Sequence, residues 1–212
     1  QGQRLLIIDA ADTSPAAPEV AVLELAPCIE RLSPDIAYLP ARGLPVRYVN
    51  TRGSSARLIE EATAAVPWAD VVLVHASAPD LARLFTRQSL RPVMLAGLSP
   101  DSVKDAYASL KLLAQRCGWM SADLVMLADP ASPLLPTVVR SLTTCADHFI
   151  GAAFTQWAAV SPQSSPRDMP DSRLRRLVEG QLDAGEGHLA AQALWASAPA
   201  PHVFDRSRHG VA

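Results

Sequence analysis

Apolar runs of strand length recur along this chain, and most are followed by a stretch with helical spacing. "RLLIIDAAD" (4–12), "DIAYLPARG" (35–43), "ADVVLVHASAPD" (69–80), "RPVMLAGLSPD" (91–101) and "ADLVMLADP" (122–130) all run into small residues, Pro or Asp. Several are apolar at consecutive rather than alternate positions, so both faces of the strand must be covered. "SSARLIEEATAAV" (54–66), "DLARLFTRQ" (80–88), "SVKDAYASLKLLAQRCG" (102–118) and "LLPTVVRSLTTCADHF" (134–149) fill the intervals with helix-forming sequence. The alternation predicts an α/β fold with a doubly wound, mostly parallel sheet and helices on both faces.

Local signals place some element ends. Ser54 or Ser55 reads as the N-cap of the 54–66 helix, with Leu58, Ile59 and Ala62 on its apolar face. Gly118 stands where a helix C-cap glycine belongs. "TSPAAPEVAVLELAP" (13–27) is punctuated by Pro, which leaves its helical content open. The α/β pattern is expected to occupy residues 1–160. A Ser/Pro-rich loop, "SPQSSPRDMPDS", then leads into a helical extension spanning 161–198, whose apolar stripe is Leu174, Leu177, Val178 and Leu182. Residues 199–212 read as a flexible tail with Phe204 as its only large aromatic.

Composition excludes several function classes. Hydrophobic residues make up 49% and charged residues 19%, which is a folded globular profile. The formal net charge of -2, with no dominant basic face, argues against a nucleic-acid partner. No apolar run approaches the roughly 20 residues of a membrane span. Cys28, Cys117 and Cys145 match neither a disulfide framework nor a zinc pattern, and a reducing cytoplasm is the expected compartment. No leader peptide is legible at the start, which is Gln1 rather than Met.

In a doubly wound sheet, ligands bind outside the carboxyl ends of the strands. The positions to inspect are Asp9 to Ser14, Arg42-Gly43, His75 to Asp80, Leu98 to Ser102 and Leu127 to Pro130. No GxGxxG, GxxxxGK[ST] or GxSxG motif occurs. His75, His148, His188, His202 and His209 lack metal-ligand spacing, and His75 is singled out only by its place at a strand end. Asp9 has the same positional argument, since a carboxylate there can hold a metal-bound water. Arg173, Arg175 and Arg176 form a basic cluster that reads as a solvated helix face or as a site for an acidic partner.

The segment "LSPDSVKDAYASLKLLAQ" resembles the "TTPEPTSxTDAYALIKLL" stretch of MinD/ParA-type P-loop ATPases. The Asp105-Ala106-Tyr107 … Lys111 wording resembles the flagellar-number regulator branch, FlhG or FleN. Other segments follow in family order. "GQRLLIIDAAD" is similar to "GKRVLLLDADLG", "DIAYLPARG" to "GLxLLPAxSG", and "ADVVLVHASAPDLARLF" to "YDYVLIDTGAGIxxxVLxF". "CADHFIGAAFTQWAAVSP" with "MPDSRLRRLVEGQ" is similar to the family's "RFLGxxLxxLGxIPxD…LRxAVRxQ". The resemblance runs from about residue 2 to residue 195 and implies the SIMIBI/MinD-like P-loop NTPase fold.

The departures from the family pattern bear on function. The family's KGGxGKT loop lies before the strand that here holds Asp9, so the first strand–loop–helix of the fold, about 30 to 40 residues, is absent from this sequence. An empty strand position would expose apolar edges, which favours a natural chain that continues upstream of Gln1. In the resemblance, Asp9 is the first Asp of the family's DxD; the second position is Ala11, and Asp12 falls one residue late. The Walker B aspartate is replaced by His75, and the adenine-reading Asn falls at Leu127 or Ala128.

The expectation is a degenerate MinD/FlhG-like protein that acts through protein contacts in flagellar number or placement, without ATP hydrolysis by this chain. Its nucleotide-binding remnants would be Asp9, Asp12 and His75. Its contact surface would include Lys104, Asp105 and Lys111 on one helix and Arg173, Arg175 and Arg176 on another. The partner implied is a flagellar GTPase or regulator, with a homodimer as a further option. Neither nucleic acid nor tail-mediated membrane attachment is expected. No cofactor is expected for this chain; ATP and Mg²⁺ enter only if an upstream P-loop exists. The alternatives are such an ATPase, or a MinD-like protein of a cellulose-secretion, pilus or partition system.

Overall fold

The computed structural model describes residues 2–165 and 168–196, with the backbone alone for 185–196. The expected tail, 199–212, with His202, Phe204 and His209, lies outside the described residues, as does the side chain of His188. The chain folds as an α/β protein with its strands in two sheets. The order is β2-β3-β1-β4 in the first and β5-β6-β7 in the second. The strands are β1 (Leu5–Asp9), β2 (Glu30–Ser33), β3 (Ile36–Pro40), β4 (Val71–His75), β5 (Val93–Ala96), β6 (Ser121–Leu127) and β7 (Ala153–Val160). Every pairing is parallel except β2 with β3.

The helices are α1 (Leu44–Arg47), α2 (Ala56–Ala65), α3 (Ala78–Leu84), α4 (Pro100–Cys117), α5 (Leu135–Ile150) and α6 (Ser172–Ala196). The Pro-punctuated 13–27 stretch forms two short 3₁₀ turns, Glu19–Val22 and Ala26–Cys28, as its prolines dictate. In α4, Ser99 Oγ accepts from the Ser102 N–H at 3.3 Å, and Gly118 ends the helix at φ 70°. Ser102 then turns its own hydroxyl back to accept from Gly97 N–H at 2.7 Å, which ties the end of β5 to the start of α4. Ser55 does occupy the N-cap position of α2, but its buried hydroxyl donates to the Pro45 carbonyl instead of capping.

Residues in register across parallel strands share a face. Leu6 and Ile8 lie opposite Ala37, Leu39, Val72 and Val74, and this face packs on Leu44, Leu58, Ala62 and Leu84 of α1, α2 and α3. Met94, Ala96, Leu124 and Met126 continue the arrangement against Leu110, Leu113, Val139 and Leu142 of α4 and α5. Each fully buried Leu or Ile here contributes about 1.5–3 kcal/mol. The other face is covered by α6 over β6 and β7, where Leu177 meets Val125 and Ala158.

No strand pairs with the outer edge of β4 or with that of β5 among the described residues. Helix α3 is the element that joins the two halves, because Leu84 and Phe85 pack in one core while Ala78, Leu81 and Phe85 pack in the other. Beside this break the face away from α3 is open. Leu73 is 52% exposed, Leu95 45% and Val93 39%. These are strand residues of the continuous apolar type that fold logic would place under cover.

Candidate functional site

The strand ends of the first sheet gather a compact polar cluster. The β1–β4 register puts Asp9 directly beside His75, and the β1–β3 register puts it beside Pro40. His75 Nδ1 lies 2.9 Å from Asp9 Oδ1. Tyr38, in the middle of β3, donates its hydroxyl to Asp9 Oδ2 at 3.1 Å. The Ala11 N–H reaches Oδ1 at 3.4 Å, and Ser14 Oγ donates to the Asp9 carbonyl at 2.8 Å. Both carboxylate oxygens are thus engaged by protein donors.

Burial alone would push the Asp9 carboxyl up. The hydrogen bonds from Tyr38, Ala11 and His75 outweigh it and hold the pKa below the ordinary value of 3.8. The carboxylate is therefore ionised at neutral pH and needs no further cation to remain so.

The other remnants are not drawn in. Ala11 is buried at the expected second acidic position. Asp12 is exposed on the turn, and its role is carried by its backbone carbonyl, which accepts from Arg42 Nη1 at 3.3 Å. Asp80, near the end of β4, is engaged locally by Ser77 at 3.1 Å and by Arg83 at 2.7 Å. Among the described residues, no group of three or more His, Cys, Asp or Glu side chains is gathered to hold a metal ion.

The six contact-surface candidates divide between opposite faces of the molecule. Lys104, Asp105 and Lys111 are exposed on α4, and Lys104 pairs with Asp101 of its own helix at 3.2 Å. Ala106 and Tyr107, from the same sequence segment, pack into the core. Arg173, Arg175 and Arg176 lie on α6, across the sheet. Arg173 stacks over the Trp157 ring at 4.4 Å, and Arg176 Nε donates to the Ser172 carbonyl at 3.4 Å.

Two features escaped the sequence reading. Tyr38 carries no motif, and only strand order brings it to Asp9. Asp123 sits inside the apolar run of β6 at 0% exposure. It accepts from Gln156 N–H at 3.1 Å and from Gln181 Nε2 at 2.8 Å, with Arg91 Nε 3.3 Å away. The Arg91 N–H is not aimed at it, so that last contact is an ion pair rather than a hydrogen bond. Arg91 Nη2 also donates to the Gly180 carbonyl at 2.6 Å, and Gln181 Nε2 reaches the Arg91 carbonyl at 3.1 Å. This network fastens α6 to the sheet. A charge inside an otherwise apolar strand is a visible signal, since such a group requires partners.

No family model matches the chain. No curated protein matches it either. Solved structures do resemble it. MinD in the MinC:MinD cell division complex of Aquifex aeolicus superposes with a TM-score of 0.50 at 12% identity, over 76% of this chain and 71% of that one. A protein described as a plasmid partition protein from Borrelia burgdorferi, bound to AMPPNP, gives 0.50 at 7% identity, over 90% and 87%. At these identities the likeness establishes the fold, which is that of MinD/ParA-like P-loop NTPases.

Proposed function

We propose that this chain is a partner-binding protein on a MinD/ParA-type scaffold that does not hydrolyse ATP through its own residues. The observation that carries the reading is the Asp9–Tyr38–His75 cluster. Mg²⁺ prefers hard oxygen ligands in near-octahedral geometry. Here the one central carboxylate has both oxygens engaged, and an imidazole stands where the resemblance would put a second carboxylate. These residues do not fit a Mg²⁺–nucleotide, and no phosphoryl-transfer step is derived from them.

The FlhG-like wording at Asp105-Ala106-Tyr107 … Lys111 supports a cytoplasmic role in flagellar number or placement, with a flagellar GTPase or regulator as partner. Cellulose-secretion, pilus and partition systems are the other settings the resemblance admits. No helix among the described residues is long and apolar enough to cross a membrane. Magnesium-dependent phosphate release above background, abolished by Asp9→Ala, would overturn the non-hydrolytic reading. Absence of release at saturating ATP is expected.

The break between β4 and β5 favours one second reading. Two unpaired parallel edges flanked by exposed Leu73, Val93 and Leu95 suit an added strand, and a strand–loop–helix element there would bring a phosphate-binding loop beside Asp9. In that case the natural protein is larger than this chain by that unit and binds ATP. Intact mass of the protein purified from its own host, followed by nucleotide titration, separates the two readings.

A further inference from the structure

Helices α5 and α6 lie on opposite faces of the second sheet, and β7 is its outermost strand. The β6–β7 register puts Phe154 and Trp157 on the α5 face, opposite Ala122 and Leu124. Arg173 belongs to α6. To stack on Trp157 its guanidinium must pass around the free edge of β7. A groove of about 400 Å³ opens at this place between α5 and β7, with Val139, Phe154 and Trp157 as its apolar floor and Arg140 at its rim. A second, smaller concavity of about 180 Å³ shares Trp157 and is bounded by Arg173 and Arg176.

No carboxylate lines either concavity. Arg140, Arg173 and Arg176 have no carboxylate partner among the described residues, whereas Arg4, Arg57, Arg83, Arg91 and Lys104 all do. The chain as a whole is slightly acidic, so three uncompensated guanidiniums around one aromatic floor are a local departure from its surface. Guanidinium groups and aromatic rings are the side chains that dominate interface energetics.

We propose that the β7-edge groove binds an acidic peptide segment of a protein partner, with carboxylates against Arg140, Arg173 and Arg176 and an apolar side chain on Phe154 and Trp157. The proposal rests on the partner-binding reading above and supplies the chemistry of the partner. A nucleic-acid backbone fits less well, because the chain as a whole carries a formal net charge of -2 and these basic groups are confined to two small concavities. A lipid surface fits less well because Phe154 and Trp157 are half-buried in the floor of the concavity rather than fully exposed. Arg175 lines neither concavity and takes no part.

The test is fluorescence anisotropy with a fluorescein-labelled peptide of repeating Asp–Asp–Phe–Leu units. Its Asn–Asn–Phe–Leu counterpart, a DNA duplex and phosphatidylglycerol vesicles serve as competitors. The acidic peptide is expected to bind, and its amide counterpart to bind about ten-fold more weakly or worse. Combined Arg140→Glu and Arg173→Glu should weaken binding by at least about ten-fold, while Arg175→Glu changes it by less than about three-fold. If the double charge reversal lowers the melting temperature, Arg140→Gln with Arg173→Gln replaces it. No binding by the acidic peptide, equal binding of the amide peptide, an equal loss from Arg175→Glu, or tighter binding of duplex or vesicles would each overturn the proposal. Phosphate release is measured on the same samples. ATP hydrolysis with intact peptide binding would remove the non-hydrolytic reading and leave the groove, and the reverse result would do the opposite.

Discussion

Asp9 and Asp123 are two carboxylates on parallel-paired strands of different sheets, and they have opposite circumstances. Asp9 ends its strand, is reached by solvent, and is satisfied by side chains of the adjacent strands. Asp123 lies inside its strand at 0% exposure and is satisfied by a helix from the end of the described chain. The first half of the molecule is open at its strand ends and along one face. The second half is closed by α6 over β6 and β7, while Val93 and Leu95 of β5 stay exposed. The same residue type is therefore a surface feature in one half and a structural anchor in the other, and burial makes the difference.

The largest expected effect follows from removing the anchor. Asp123→Ala leaves the buried Nε of the half-buried Arg91 without its counter-charge and frees the Gln181 contact, so a loss of about 3 kcal/mol is expected in urea unfolding. Asp9→Ala should cost about 1 kcal/mol, the scale of a partly exposed hydrogen-bonded group. Equal losses would remove the contrast between the halves.

A second pair probes packing. Leu124→Ala, in the closed half, should destabilise by about 2–5 kcal/mol, because Leu124 is fully buried. Leu73→Ala, at the open face, should stay within about 0.5 kcal/mol. A large loss at Leu73 would mean that something covers that face in solution.

The smallest effects concern pH, and both belong to the first half. The folded pKa of Asp9 is depressed, so its contribution is present above the unfolded value and is lost as pH falls through the folded one. Asp9→Asn should flatten the acid limb of the melting-temperature profile below about pH 4. Burial and the hydrogen bond to Glu61 at 2.8 Å push Tyr48 up to about 12. Its contribution is full below the unfolded value near 10 and is lost as pH rises toward 12. Tyr48→Phe should remove that alkaline decline.

Much of the scaffold is legible in the residues. Consecutive apolar positions mark β1, β4, β5 and β6, and Gly118 marks the end of α4, which starts at Pro100, two residues before the expected Ser102. β2 is not legible, because "ERLS" has no apolar run; it forms as an antiparallel edge whose hydrogen bonds come from β3. The site is less legible than the fold. Asp9 and His75 are marked by their strand-end positions, but their contact depends on β1 and β4 being neighbours, which no local pattern encodes. Tyr38 arrives by the pairing of β1 with β3 on the other side. Arg140 and Arg173 meet around Trp157 only because α5 and α6 flank one strand from opposite sides. Lys104, Asp105 and Lys111, prominent in the sequence, are exposed on α4.

The break between β4 and β5 has a consequence for cooperativity. The first sheet is built wholly from residues 5–75 and the second wholly from residues 93–160, so each is a contiguous stretch of chain with its own core. Among the described residues no ladder of backbone hydrogen bonds crosses between them, and helix α3 supplies the mechanical link. Such halves open as separate units with separate free energies. Native-state hydrogen exchange should resolve a slower class of amides in β6, held on both sides and roofed by α6, from a faster class in β1 and β4. The hinge of that sub-global opening would be α3.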